Sequence, residues 1–153
     1  MSKASAGGAR AMLAVLAGLL VGSAVNMGLI LVGGKLVTPP DGADVTTMEG
    51  LKATIHLFEF RHFVFPFLAH ALGTLAGAFI ASFIAPARSA TAAAFIGVLF
   101  LLGGVANVVV LPAPAWFNAA DLLLAYLPTA WLGWWMAMQV RATLKRDERR
   151  QRE

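Results

Sequence analysis

EFRHFVFPFLAHALGTLAGAF, residues Glu59 to Phe79, sets ionisable side chains directly against an apolar run. From Phe63 to Ile84 the chain holds no Lys, Arg, Asp or Glu, which is the length of about 20 residues that a helix needs to cross some 30 Å of hydrocarbon. Comparable runs lie at 11–33, 91–111 and 116–140. None of them alternates apolar and polar residues, as the spans of a membrane barrel do. The reading is an all-α integral membrane protein, a four-helix transmembrane bundle over 1–140 followed by a basic cytoplasmic tail over 141–153.

Composition agrees with that reading. Of 153 residues 59% are hydrophobic and 13% charged, against about 25% charged in ordinary globular domains. Mean hydropathy is +0.74. With no cysteine, disulfides, thiolate metal sites and thiol catalysis are excluded. The net charge is +4, and six of the twelve Lys and Arg residues fall in the tail. Beside a hydrophobic span that placement suits contact with anionic lipid headgroups rather than nucleic acid.

Working outward, the first run, AMLAVLAGLLVGSAVNMGLILVG, is too long for the apolar core of a signal peptide and is read as a retained helix. A loop with Pro39, Pro40 and Gly42 follows. Thr46 or Thr47 then caps a short interfacial helix from about Met48, MEGLKATIHLFEF, before the second span. If it runs on into that span, Glu59, Pro66, His70, Gly73 and Gly77 share one helical face. The segment APARS joins spans two and three, and PAPAW joins spans three and four. Lys3, Arg10, Arg88 and the tail cations make up nine of the twelve Lys and Arg residues. They place both termini on the cytoplasmic side.

Spans one and three share LLVGSAVN and FLLGGVAN, so that Gly22 meets Gly103 and Asn26 meets Asn107. Spans two and four align His70 with Tyr126 and Gly77 with Gly133. A duplicated hairpin, the parallel kind of repeat known in some transporters, would explain both matches. Two GxxxG motifs, Gly18 to Gly22 and Gly73 to Gly77, predict close helix approach.

The polar residues within the spans gather in their outer halves. At 1.5 Å per residue Asn26 and His70 lie roughly 10 Å deep, and Asn107 and Asp121 roughly 6 to 8 Å. Ionisable groups at such depth cost about 2.5 to 3.5 kcal/mol on insertion scales and are candidates for function. His70 is read as the titrating group, Asp121 as its charge partner, Asn26 and Asn107 as orienting amides, and Glu59 as a gate charge. The alternative is that these groups only hydrogen-bond across helices and fix packing. His56, Glu59 and His62 at successive i, i+3 spacings are weaker candidates for a metal. They spread too widely on a helix to converge easily, and headgroup-level residues are the plainer reading. No phosphate loop, nucleophile elbow or dinucleotide fingerprint is present, and no cofactor is implied.

The opening stretch, with NMGL at Asn26 and LPAPAWFNAADLLLAYLPTAWLG at Leu111 to Gly133, resembles short four-span bacterial inner-membrane proteins that carry no assigned activity. The resemblance implies an architecture and the bacterial inner membrane, and no mechanism. The functional expectation is therefore an outward-facing polar pocket for a small polar ligand, proton or cation, serving transport in a homodimer. A structural or assembly protein is the alternative, and a membrane-embedded metal-dependent enzyme the third reading.

Overall fold

A computed structural model describes residues 3–152, and among these every regular element is helical. Six α-helices follow one another: α1 Lys3–Leu36, α2 Met48–Thr54, α3 Phe60–Ile84, α4 Ser89–Val110, α5 Ala115–Leu124 and α6 Leu127–Arg150. Three stretches, Gly7–Leu36, Phe60–Ile84 and Pro86–Val110, are long and apolar enough to cross a membrane.

The third helix is the centre of the molecule. It packs against α1, α4, α5 and α6, and 44% of its apolar window is buried, against 11% for α1 and 22% for α4. The outer faces of α1 and α4 present Leu13, Leu16, Leu20, Leu31, Phe95 and Leu102 outward, the side chains a lipid solvent accepts. The core between α3, α4 and α6 is built from small residues, Ala78, Ala81, Ala92, Ala93 and Ala130 around Ile96. That composition suits helices that associate by close packing.

The glycine motifs set the closest approach. A Cβ on Gly18 would stand 2.6 Å from the carbonyl oxygen of Gly77, and one on Gly22 would stand 2.7 Å from that of Gly73. The two GxxxG motifs therefore face each other across antiparallel α1 and α3. Any larger residue forces the backbones apart.

Two arginines flanking the bundle, Arg10 and Arg141, tie down the C-terminus of α3. Arg10 Nε donates to Ile84 O at 2.7 Å, and the Arg141 guanidinium donates to Phe83 O and lies over the Phe83 ring, 5.0 Å from its centroid. Cations on the last carbonyls of a helix complement its dipole.

Three expectations change. First, the interfacial helix ends at Thr54 instead of running through HLFEF, and it does not continue into the second span. Thr47 caps α2 as expected, its hydroxyl accepting from Gly50 N at 2.9 Å, but a 3₁₀ turn over Ile55–Leu57 and extended backbone at Phe58 and Glu59 intervene. Second, the segment over 116–140 is two helices. The chain breaks at Ala125 and Tyr126, where Tyr126 adopts φ −115° and ψ −78°. Pro128 is the reason, because it has no N–H for the carbonyl of Leu124 and its ring crowds that oxygen. Thr129 Oγ1 donates to Ala125 O at 2.6 Å, beside the break, and to Tyr126 O at 3.0 Å, which also accepts from Ala130 N at 2.8 Å. Third, the glycines aligned between spans one and three differ in their surroundings, while Gly77 and Gly133, aligned between spans two and four, are both closely packed. Gly22 is pressed against α3, whereas Gly103, its partner in the aligned repeat, has nothing within 4 Å of a Cβ position.

Candidate functional site

The helix break creates the most distinctive polar feature of the molecule. Asp121 lies in the last turn of α5, five residues before Tyr126. On an unbroken helix those two side chains would point about 140° apart. With the break between them, the Tyr126 hydroxyl turns back and donates to Asp121 Oδ2 at 2.8 Å. From the neighbouring helix α3, His70 Nδ1 reaches Asp121 Oδ1 at 2.8 Å and Oδ2 at 3.0 Å. A carboxylate facing Nδ1 fixes the proton on that nitrogen, so Nδ1–H is the donor. The imidazole also stacks on the Tyr126 ring, with centroids 5.8 Å apart and planes at 28°.

The cluster is enclosed. Asp121 is 2% exposed and Tyr126 1%, while the His70 side chain keeps 17% of its surface. Ala71 and Ala125 pack against Tyr126, with Phe67, Phe100, Leu101 and Leu122 around them. Phe67 also packs on the neighbouring cluster of Ile55, Phe63 and Phe117, joining the site to an aromatic layer toward the N-terminal end of α3. Gly104 on α4 makes the room for Tyr126, since a Cβ there would run into the phenol. Among the described residues, His70 Nε2 has no hydrogen-bond partner, and it is not among the sealed polar atoms that lack one. The ring thus has one nitrogen committed to a buried carboxylate and one available.

The orienting amides do not join this cluster. Asn26 sits on α1 against Gly73, its Cβ 3.0 Å from where a Gly73 Cβ would be, and its Oδ1 is buried with no partner. The facing glycine motifs hold α1 on α3 at an angle around the helix that depth along the membrane does not specify. Asn107 is half-buried on α4, and among the described residues no hydrogen bond joins its side chain to His70 or Asp121.

Glu59 and the remaining histidines have other work. Glu59 is the N-cap of α3 in extended backbone, so it does not share the helical face of His70. Its carboxylate pairs with Arg61 Nε at 3.1 Å, with both side chains 68% exposed, an arrangement worth little in water. His62 is buried against the protein. Its Nδ1 accepts from Glu59 N at 2.9 Å, which leaves the proton on Nε2 to donate to Thr38 O at 3.2 Å. That bond ties the start of α3 to the long loop. His56 is exposed. Among the described residues no three His, Asp or Glu side chains converge to hold a metal ion, and the structure does not bring His56, Glu59 and His62 together into such a group.

Two grooves lie on the surface, and neither is lined by His70 or Asp121. One, of about 420 Å³, runs between α1 and α4, and the other, of about 260 Å³, is lined by Phe60, Phe63, Phe67 and Trp116 with neighbouring apolar residues. An open polar pocket at the predicted residues is not among them. Trp131 is 61% exposed and faces outward. Trp134 instead donates from Nε1 to Ser89 Oγ at 3.1 Å, tying α6 to α4.

No family model, no curated protein and no solved structure matches this chain.

Proposed function

We propose that this is a bacterial inner-membrane protein with both termini cytoplasmic, and that its His70–Asp121–Tyr126 cluster binds and releases a proton in the outer half of the bilayer, serving transport. Four segments cross the membrane in this reading. Neither α5 nor the apolar part of α6 up to Val140 reaches the roughly 20 residues a crossing needs, but end to end they are long enough. Discontinuous helices that place polar groups at mid-membrane are how many transporters build their ion sites.

One observation carries the proposal. A buried carboxylate is closed on both oxygens by Nδ1 of His70 and the hydroxyl of Tyr126, while Nε2 of the same imidazole is unpartnered. With Asp121 ionised and His70 neutral the cluster carries one negative charge. A proton taken up at Nε2 converts it to an imidazolium–carboxylate pair with no net charge. In a low-dielectric setting that change of charge biases helix packing strongly. The enclosed geometry favours a proton over a larger polar ligand. A four-span subunit is small for a complete transporter, so a homodimer goes with this reading.

The enclosure also favours a second reading, in which the cluster only staples α3, α5 and α6 together. Thermal unfolding of the purified protein from about pH 5 to 8, where a histidine ordinarily changes charge, separates the two. Proton binding predicts a melting temperature that moves with pH more steeply in the wild type than in His70→Gln or Asp121→Asn, which keep only the contribution of the remaining histidines, with proton flux into liposomes lost in both variants. Equal pH dependence in all three proteins, with only a constant offset, selects the staple.

A further inference from the structure

We propose that the groove between α1 and α4 is a site for an anionic phospholipid, one acyl chain lying in the groove and the phosphate held by Arg88. The proposal rests on the membrane placement above and is independent of the His70 cluster.

The groove exists because α1 is drawn onto α3 by the facing glycines and only grazes α4. Its walls are apolar, with Val15, Leu16 and Leu19 on one side and Ala92 and Phe95 on the other. From Ala11 to Leu19 it extends about 12 Å along the helix, close to the depth of one leaflet of a hydrocarbon core some 30 Å thick. Its lining includes no carboxylate and, at one end, Arg88 with Thr91 beside it. Arg88 is exposed and makes no ion pair among the described residues. Arg10, next to Ala11 of the lining, donates from Nε to Ile84 O, and among the described residues its terminal nitrogens make no further hydrogen bond.

An apolar channel of one leaflet's depth that ends at the Arg88 guanidinium, with Arg10 adjoining the lining in sequence, matches a lipid tail joined to a phosphate. Basic sites between helices on the cytoplasmic side are where anionic headgroups settle. A helix of a second copy suits the groove less well. In a dimer with both copies in the same membrane orientation it would bring a further Arg10 and Arg88 to the same depth.

The test uses the full-length protein in a neutral detergent. Its melting temperature is followed with phosphatidylglycerol, with phosphatidylcholine of the same acyl chains, and with water-soluble glycerol phosphate. The expected result is a rise of several degrees with phosphatidylglycerol, a smaller rise with phosphatidylcholine and none with glycerol phosphate. Arg88→Gln should remove the difference between the two lipids, and Thr91→Trp or Leu16→Trp, each an exposed position that fills the groove, should remove the response to both. His70→Gln should keep the full lipid response, so that failure here is distinct from failure of the proton site. Phosphatidylglycerol preference retained in Arg88→Gln overturns the proposal. So does an equal response to glycerol phosphate, which would mean a free-anion site, or a loss of oligomeric mass in the groove-filling variants, which would make a second copy the occupant.

Discussion

Tyr126→Phe removes one hydroxyl and leaves Asp121 Oδ2 with a single donor, His70. A buried acceptor that loses a partner costs about 1–3 kcal/mol, so this variant should melt measurably lower in detergent, with little change in helix content by circular dichroism. A second residue-scale prediction concerns the first loop. Thr46 donates to Asp44 Oδ1 from both its hydroxyl, at 2.6 Å, and its backbone N–H, at 2.8 Å, and these bonds hold the Asp44 carboxyl below its ordinary range. A carboxyl lowered in the folded state contributes order that is present above the unfolded value and lost as pH falls through the folded one. Amide hydrogen exchange over 44–54 should therefore accelerate below the usual carboxylate range, and Asp44→Asn should abolish that pH dependence. His70 and Asp121 could be singled out in the sequence because an ionisable group at membrane depth is costly whatever surrounds it. Tyr126 could not, since a phenol is tolerated in an apolar helix and its spacing from Asp121 is wrong for an unbroken one. The available signal was Pro128, two residues beyond the only tyrosine in the chain.

Between helices, the facing glycines of α1 and α3 are the most exacting contact. Gly22→Val would drive side-chain atoms into the Gly73 carbonyl and the Phe100 ring. Overpacking of this kind costs about 1–3 kcal/mol. Gly28→Val, on the same helix with nothing within 4 Å of its Cβ position, should leave the melting temperature unchanged, and equal effects at the two positions would rule out the glycine contact as the determinant. The GxxxG spacings announced close approach, but not that each motif is the other's partner. The discontinuity between α2 and α3 was hidden for another reason. MEGLKATIHLFEF has no Gly or Pro between Ile55 and Glu59 to punctuate it, and the break is held by His62 folding back onto Glu59 N and across to Thr38 O.

For the whole molecule, the decisive measurement is sidedness. The chain has no native cysteine, so single cysteines at Gly42, Ala87, Ala113 and Gln151 can be labelled one at a time. With α5 and α6 jointly crossing the bilayer, a membrane-impermeant maleimide should label positions 42 and 113 in spheroplasts, and positions 87 and 151 only after permeabilisation. Labelling of position 151 from outside would mean that the broken segment does not cross. By itself the sequence determined the solvent this protein is made for and three of its helices, because hydropathy adds up residue by residue along a local stretch and needs no partner. It also marked where polar groups lie along each apolar run, since that follows from counting residues. Only the tertiary structure decided which of those groups meet. The angle of each helix about its axis is set by contacts with other helices, and the glycine seam that turns Asn26 away from Asp121 and the proline break that turns Tyr126 toward it are both consequences of packing.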